Sequence, residues 1–95
     1  MKTIHYNTKA KKDLKKYRGD IRLMAALYEV LDLLKNGETV PGRYRPHELT
    51  GNYKGCVECH VGGDFLLIWI DTVTDMVEIV RLGSHSELFG KKKKG

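Results

Sequence analysis

Residues 65–70, Phe-Leu-Leu-Ile-Trp-Ile, set the reading of the whole chain. They form a continuous apolar run of strand length, too short for a helix of ordinary size. Beyond them, Asp71 to Asp75 has the composition of a turn, and Met-Val-Glu-Ile-Val-Arg-Leu (76–82) alternates as a strand does. On the other side, residues 53–61 read as a third strand, with Gly62-Gly63 closing a hairpin onto 65–70. Short connections make these three strands antiparallel neighbours.

Before the loop through Pro41, Gly42 and Pro46, the spacing changes from two to about 3.6 residues. Residues 2–6 (KTIHY) alternate as a short strand. Asn7 or Thr8 can cap a first helix that carries Ala10, Leu14 and Tyr17 at helical spacing among lysines. Gly19 ends it, and Asp20 can cap a second helix from about Ile21 to Asn36, stopped by Gly37. Leu23, Leu27, Val30 and Leu34 form its apolar stripe, widened by Met24 and Leu31. At the other end, Ser-His-Ser-Glu-Leu-Phe-Gly (84–90) suits one helical turn, with Ser84 as cap and Glu87 at the third position. The expected fold is α+β. An α-hairpin packs on one face of a mostly antiparallel four- to five-stranded sheet, in the order β-α-α-β-β-β with a short C-terminal helical turn. The other sheet face is left to carry a site.

Ninety-five residues make one domain, expected over 1–90, with 91–95 as a basic and disordered tail. No apolar run approaches the roughly 20 residues that span a bilayer. The N-terminal MKTIHYNTKAKKDLKK lacks the apolar core of a secretion signal, so a cytoplasmic location is expected. Net charge is +5, and four of those charges are Lys91 to Lys94, leaving an excess of about one (5 − 4). The charge that matters is therefore local: Lys9, Lys11, Lys12, Lys15, Lys16 and Arg18 crowd the first helix, which favours a polyanionic partner.

His5 lies in the first strand, while His47, His60 and His85 fall in the strand half. Glu58 and His60 are two apart on one strand and project from the same face. Arg81 stands near the end of the last strand, four residues before His85. A carboxylate, imidazoles and an arginine on an open face suit phosphodiester cleavage without metal. One group takes the proton from the RNA 2′-OH, a second protonates the departing 5′-oxygen, and the arginine stabilises the transition-state charge. The same histidines also read as structural residues of a small basic domain.

Cys56-Val57-Glu58-Cys59-His60 matches the CxxCH string of haem attachment. In a strand, residues three apart point to opposite faces, so Cys56 and Cys59 cannot converge on haem, on zinc or on each other. Two free thiols are expected.

The segment HELTGNYKGCVECHVGGDFLLIWI, with the later IVRLGSHSELFG, resembles the YafQ branch of the RelE superfamily. That branch shares H-x-L-x-G-x-[WY]-x-G, an acidic residue two before a His, a D-[FW]-[IL]-L-[IV]-[YW] strand and R-x-G-[TS]-H-x-x-L-F. The likeness is detailed over 47–90 and holds only in length and pattern over the helices. It implies a ribosome-dependent mRNA endonuclease, the toxin of a type II toxin–antitoxin pair. It implies a cognate antitoxin, ribosome and mRNA as partners, no cofactor or metal, and a 2′,3′-cyclic phosphate product. Position by position, it implies a site of His47, Glu58 (often Asp in the branch), His60, Asp64, Arg81, His85 and Phe89. His85 is expected as general acid, with His60 and Glu58 nearer the 2′-OH. A strict two-residue Gly62-Gly63 hairpin would set His60 and Asp64 on opposite faces, and a three-residue loop with a bulge at a glycine would bring them together. Asp64 otherwise reads as a turn-closing carboxylate, and Phe89 and Tyr53 as apolar packing. Lys11, Lys12, Lys15, Lys16 and Arg18 are the expected RNA contacts; a solvated helix face is the alternative. Two rival functions remain at this stage. One is the gyrase-poisoning type of relative, and the other is a binding module without catalysis.

Overall fold

The structure, a computed structural model, describes residues 1–72 and 74–90. The tail expected at 91–95 lies outside the described residues. The elements run β1 (Thr3–Tyr6), α1 (Thr8–Tyr17), α2 (Ile21–Lys35), β2 (His47–Glu48), β3 (Val57–Gly62), β4 (Phe65–Asp71), β5 (Met76–Ser84) and α3 (His85–Phe89).

Local chemistry starts each helix. The Asn7 side chain accepts from the Ala10 N–H at 2.8 Å, and Asp20 accepts from the Leu23 N–H at 3.1 Å. Each satisfies a donor that the first turn leaves unpaired, worth about 1 kcal/mol. At α3, Ser84 and Glu87 form the reciprocal capping box.

The strands form one sheet in the order β1-β5-β4-β3-β2, with β1 parallel to β5 and the other pairs antiparallel. The α-hairpin covers one face. Ala10 of α1 and Met24, Leu27, Val30, Leu31 and Leu34 of α2 pack over Cys59, Val61, Leu67, Trp69, Val77, Ile79 and Leu82. The opposite face has a smaller cluster of Cys56, Leu66, Ile68 and Leu88, joined by Leu49, Tyr53, Ile70 and Val80. β4 is thus covered on both sides, by the helices over its odd residues and by α3 over its even ones. That double burial is why 65–70 carries no polar residue.

Three expectations need correction. The strand read over 53–61 begins only at Val57, because Gly51–Tyr53 folds as a 3-10 turn, and it extends to Gly62. The loop after Pro46 contains β2, two residues that add the fifth strand. The hairpin turn is Gly63-Asp64, one residue later than expected, with Gly62 paired to Phe65 and Gly63 at φ 53.

Two register shifts decide which side chains face outward. With Gly62 opposite Phe65, an unbroken ladder would set Glu58 opposite Trp69, against the helices. An extra residue at Val61 instead pairs His60 with Leu66 and Glu58 with Ile68, on the open face. On β5, Val77 and Ile79 face the helices, and simple alternation would send Arg81 after them. The shift at Val80 pairs Arg81 with Ile68 and returns Leu82 to the core. Two one-residue irregularities therefore put Glu58 and His60 on the open face and turn Arg81 out of the core, to the sheet edge where Asp13 of α1 meets it.

Candidate active site

Successive partners across four strands run His47, Glu58, Ile68, Arg81. The neighbouring row is His60, Leu66, Gly83. Strands lie about 4.8 Å apart, so Glu58 and Arg81 flank Ile68 at backbone positions about 10 Å apart. The site is an open face; no enclosed cavity forms among the described residues.

Glu58 is the one buried charged side chain among the described residues, at 4% exposure. His47 Nε2 lies 3.0 Å from its Oε1, and its Oε2 has no hydrogen-bond partner among the described residues. His47 Nδ1 lies 3.0 Å from the Arg45 carbonyl oxygen. A carbonyl only accepts, so Nδ1 carries a proton. The Nε2–carboxylate contact then needs one more, held by the ring or by Glu58. Arg45, whose carbonyl meets Nδ1, adopts the left-handed conformation at φ 53, where the Gly42–Tyr44 turn ends. The His60 ring stands 6.4 Å from the His47 ring. The structure therefore brings His47, Glu58 and His60 together.

A second group borders it. His85 is exposed at the start of α3, with its ring 5.0 Å from Phe89. Phe89 in turn stands edge-on to Tyr53 at 5.7 Å. Leu88, not Phe89, is the buried plug of this turn, and Phe89 remains 40% exposed. Gly83 lets α3 dock closely. It sits at φ +154, and a Cβ there would come within 2.9 Å of Glu87 Oε1.

Arg81 is not a bare charge. Its Nε donates to Asp13 Oδ2 at 2.7 Å and its Nη2 to Asp13 Oδ1 at 3.1 Å. The Asp13 hydrogen bond holds the guanidinium above its usual pKa, with a smaller contribution from Tyr53. Asp13 Oδ2 also accepts from the Leu82 N–H at 3.1 Å, an edge donor left over where β1 ends. Asp64 lies exposed in the hairpin turn, and its carboxylate makes no hydrogen bond or ion pair among the described residues. Neither hairpin geometry weighed from the sequence occurs, and the turn-residue reading of Asp64 has the support of its position.

Lys11, Lys12, Lys15, Lys16 and Arg18 are all exposed on or just after α1. Lys16 is engaged by Glu87, which also accepts from the Tyr17 hydroxyl and the Ser84 N–H. Lys16, then Tyr17 and Ser84, hold the Glu87 carboxyl far below the usual range, at about 2. Sequence reasoning missed Asp13, although it is the one acidic residue of a lysine-rich helix. Cys56 and Cys59 sit in clusters on opposite sheet faces. No group of three or more His, Cys, Asp or Glu among the described residues is placed to hold a metal ion.

The family described as the bacterial toxin of type II toxin–antitoxin system, YafQ, matches residues 2–90. The chain belongs to the YafQ toxin family. It is 34% identical over 89 residues to the mRNA interferase toxin YafQ of Escherichia coli (strain K12), covering 92% of this chain and 95% of that protein. The crystal structure of YafQ from E. coli strain BL21(DE3) superposes with TM-score 0.84 at 30% identity, over 95% of this chain and 100% of that one. The YafQ chain of the E. coli DinJ–YafQ complex gives TM-score 0.81 at 31% identity, over 95% and 100%. The α+β fold expected from the sequence is thus that of solved YafQ toxins.

Proposed function

We propose that this YafQ-family chain is a ribosome-dependent mRNA endonuclease, the toxin of a type II pair, inhibited by a cognate antitoxin. The observation that carries this reading is the row His47–Glu58–Ile68–Arg81 beside His60, proton-transfer groups and a guanidinium across one open sheet face. The E. coli relatives named as mRNA interferase toxins, and the DinJ–YafQ complex, support the substrate class and the partner.

Cleavage follows from in-line attack of the RNA 2′-oxygen on its own phosphorus. The 2′-O–P bond forms, the P–5′-O bond breaks, and a 2′,3′-cyclic phosphate remains. His60, beside the His47–Glu58 pair, takes the 2′-proton, and the pair stabilises the charge that the ring then gains. His85, exposed on α3, gives a proton to the departing 5′-oxygen. Arg81 stabilises the added charge on the equatorial oxygens. Phe89 offers a half-exposed ring on which a base stacks. Lys11, Lys12, Lys15 and Arg18 supply sequence-independent attraction to phosphates, with Lys16 contributing the N–H donors that Glu87 leaves unused.

Inducing the protein in bacteria beside His60→Ala and His85→Ala variants, and mapping new mRNA 5′ ends, tests the reading. The parent should arrest growth with codon-phased cuts in translated messages, and both variants should not. Arrest without cuts would point to another target such as gyrase. Cuts that persist in both variants would reject the site assignment.

A further inference from the structure

Asp13 belongs to a helix that otherwise reads as a basic RNA-facing surface, yet it spends both carboxylate oxygens inward. It meets Arg81 side-on, through Nε and Nη2, at 2.7 and 3.1 Å. The same carboxylate is itself fixed by the Leu82 N–H. Both partners are largely shielded, with side-chain exposures of 19% for Arg81 and 15% for Asp13. A guanidinium has two bidentate edges. Asp13 occupies the Nε/Nη2 edge, the Tyr53 hydroxyl also lies close to the guanidinium, and a phosphate would be met through the Nη1/Nη2 edge.

We propose that Asp13 is a positioning residue of the cleavage reaction, clamping Arg81 so that its Nη1/Nη2 edge meets the scissile phosphate. This inference rests on the nuclease reading given above. An unclamped arginine at a strand end must give up its rotamer freedom when RNA arrives, and a clamped one has already done so. Pairing also removes the net charge. Arg81 therefore acts through directed N–H groups aimed at one place, rather than by attracting RNA from a distance.

The clamp is part of a wider docking face. Asp13, Lys16 and Tyr17 stand at i, i+3 and i+4, on one side of α1. Asp13 holds Arg81, while Lys16 and Tyr17 hold Glu87 in the turn that carries His85 and Phe89. One face of α1 thus holds both Arg81 and the turn that bears His85, leaving Lys11, Lys12 and Lys15 toward solvent.

The test uses Asp13→Asn, which keeps the shape and an acceptor for the Leu82 N–H but loses the second anionic oxygen. Cleavage of a defined message is followed in a cell-free translation reaction, alone and in an Arg81→Lys background. The expected result is a fall in kcat of about 100-fold with little change in KM, and no further fall when Arg81 is already replaced. An unchanged kcat, or losses that multiply in the double variant, would overturn the proposal. So would a loss of activity that only follows a lowered Tm. Hydrogen exchange of the Arg81 Nε–H, read by NMR without substrate, should be slow in the parent and fast in Asp13→Ala, which removes the oxygen that Nε shares with the Leu82 N–H. Fast exchange in the parent rejects the clamp itself, whereas a parent with slow exchange that cuts no RNA rejects the nuclease reading and the catalytic role with it.

Discussion

His47 and Glu58 face each other across the shortest strand pair of the sheet, Nε2 to Oε1 at 3.0 Å, while the second oxygen of Glu58 has no partner among the described residues. A buried carboxylate with one unpaired oxygen costs stability. In the mechanism proposed above, that cost is offset by the role of the pair beside His60.

Replacing Glu58 by Gln therefore separates stability from function. The amide keeps the shape and can donate to His47 Nε2, but it removes the buried charge. Urea unfolding should show stability unchanged or higher by about 1 kcal/mol, while cleavage falls by about 100-fold. A variant that loses stability and keeps cutting would contradict this account of the pair.

Acid should loosen α3 through Glu87. Lys16, with Tyr17 and Ser84, lowers its folded-state pKa to about 2 from the ordinary value of 4.5. A group lowered on folding stabilises fully above its unfolded pKa and loses that contribution as pH falls through the folded value. The stability advantage of the parent over Glu87→Gln should be constant from pH 7 to about pH 5 and vanish toward pH 2. Urea midpoints of the two proteins, measured side by side, cancel the titration of the other carboxylates. A difference that persists at pH 2 would assign the role of Glu87 to packing instead.

The CxxCH string should behave as two inert thiols. Burial pushes the Cys59 thiol up to about 12, and burial also raises Cys56. Thiolate is the reactive form. At pH 8 a thiol reagent should modify the unfolded chain rapidly and leave Cys59 of the folded chain nearly untouched. Incubation with haem under reducing conditions should give no covalent adduct; an adduct would mean that this segment is not the strand described.

What the sequence made legible was local. The apolar run 65–70, the caps Asn7 and Asp20 and the Ser84–Glu87 box each depend on neighbours within four residues, and each stands in the structure. The shared face of Glu58 and His60 followed from alternation alone. β2 was not legible, because two residues carry no periodicity. The position of Arg81 was hidden for the opposite reason: counted by twos from Val77, it falls in the core, and only the shift at Val80 turns it outward. Asp64 was displaced by one residue of turn register. Asp13 was missed because its partner comes from the far end of the chain, where no local rule connects them.

The parallel pairing of β1 with β5 has a consequence for when activity can arise. Thr3 must find Met76 before the sheet closes, since β5 is the neighbour of both β1 and β4. Contacts so distant along the chain form late and close an expensive loop. Arg81 and His85 lie on β5 and just after it, so the clamp on Arg81 depends on the same strand being in place. Under the proposed mechanism, a chain still missing its last strand lacks both groups and cuts nothing, so the poison and the finished fold arrive together.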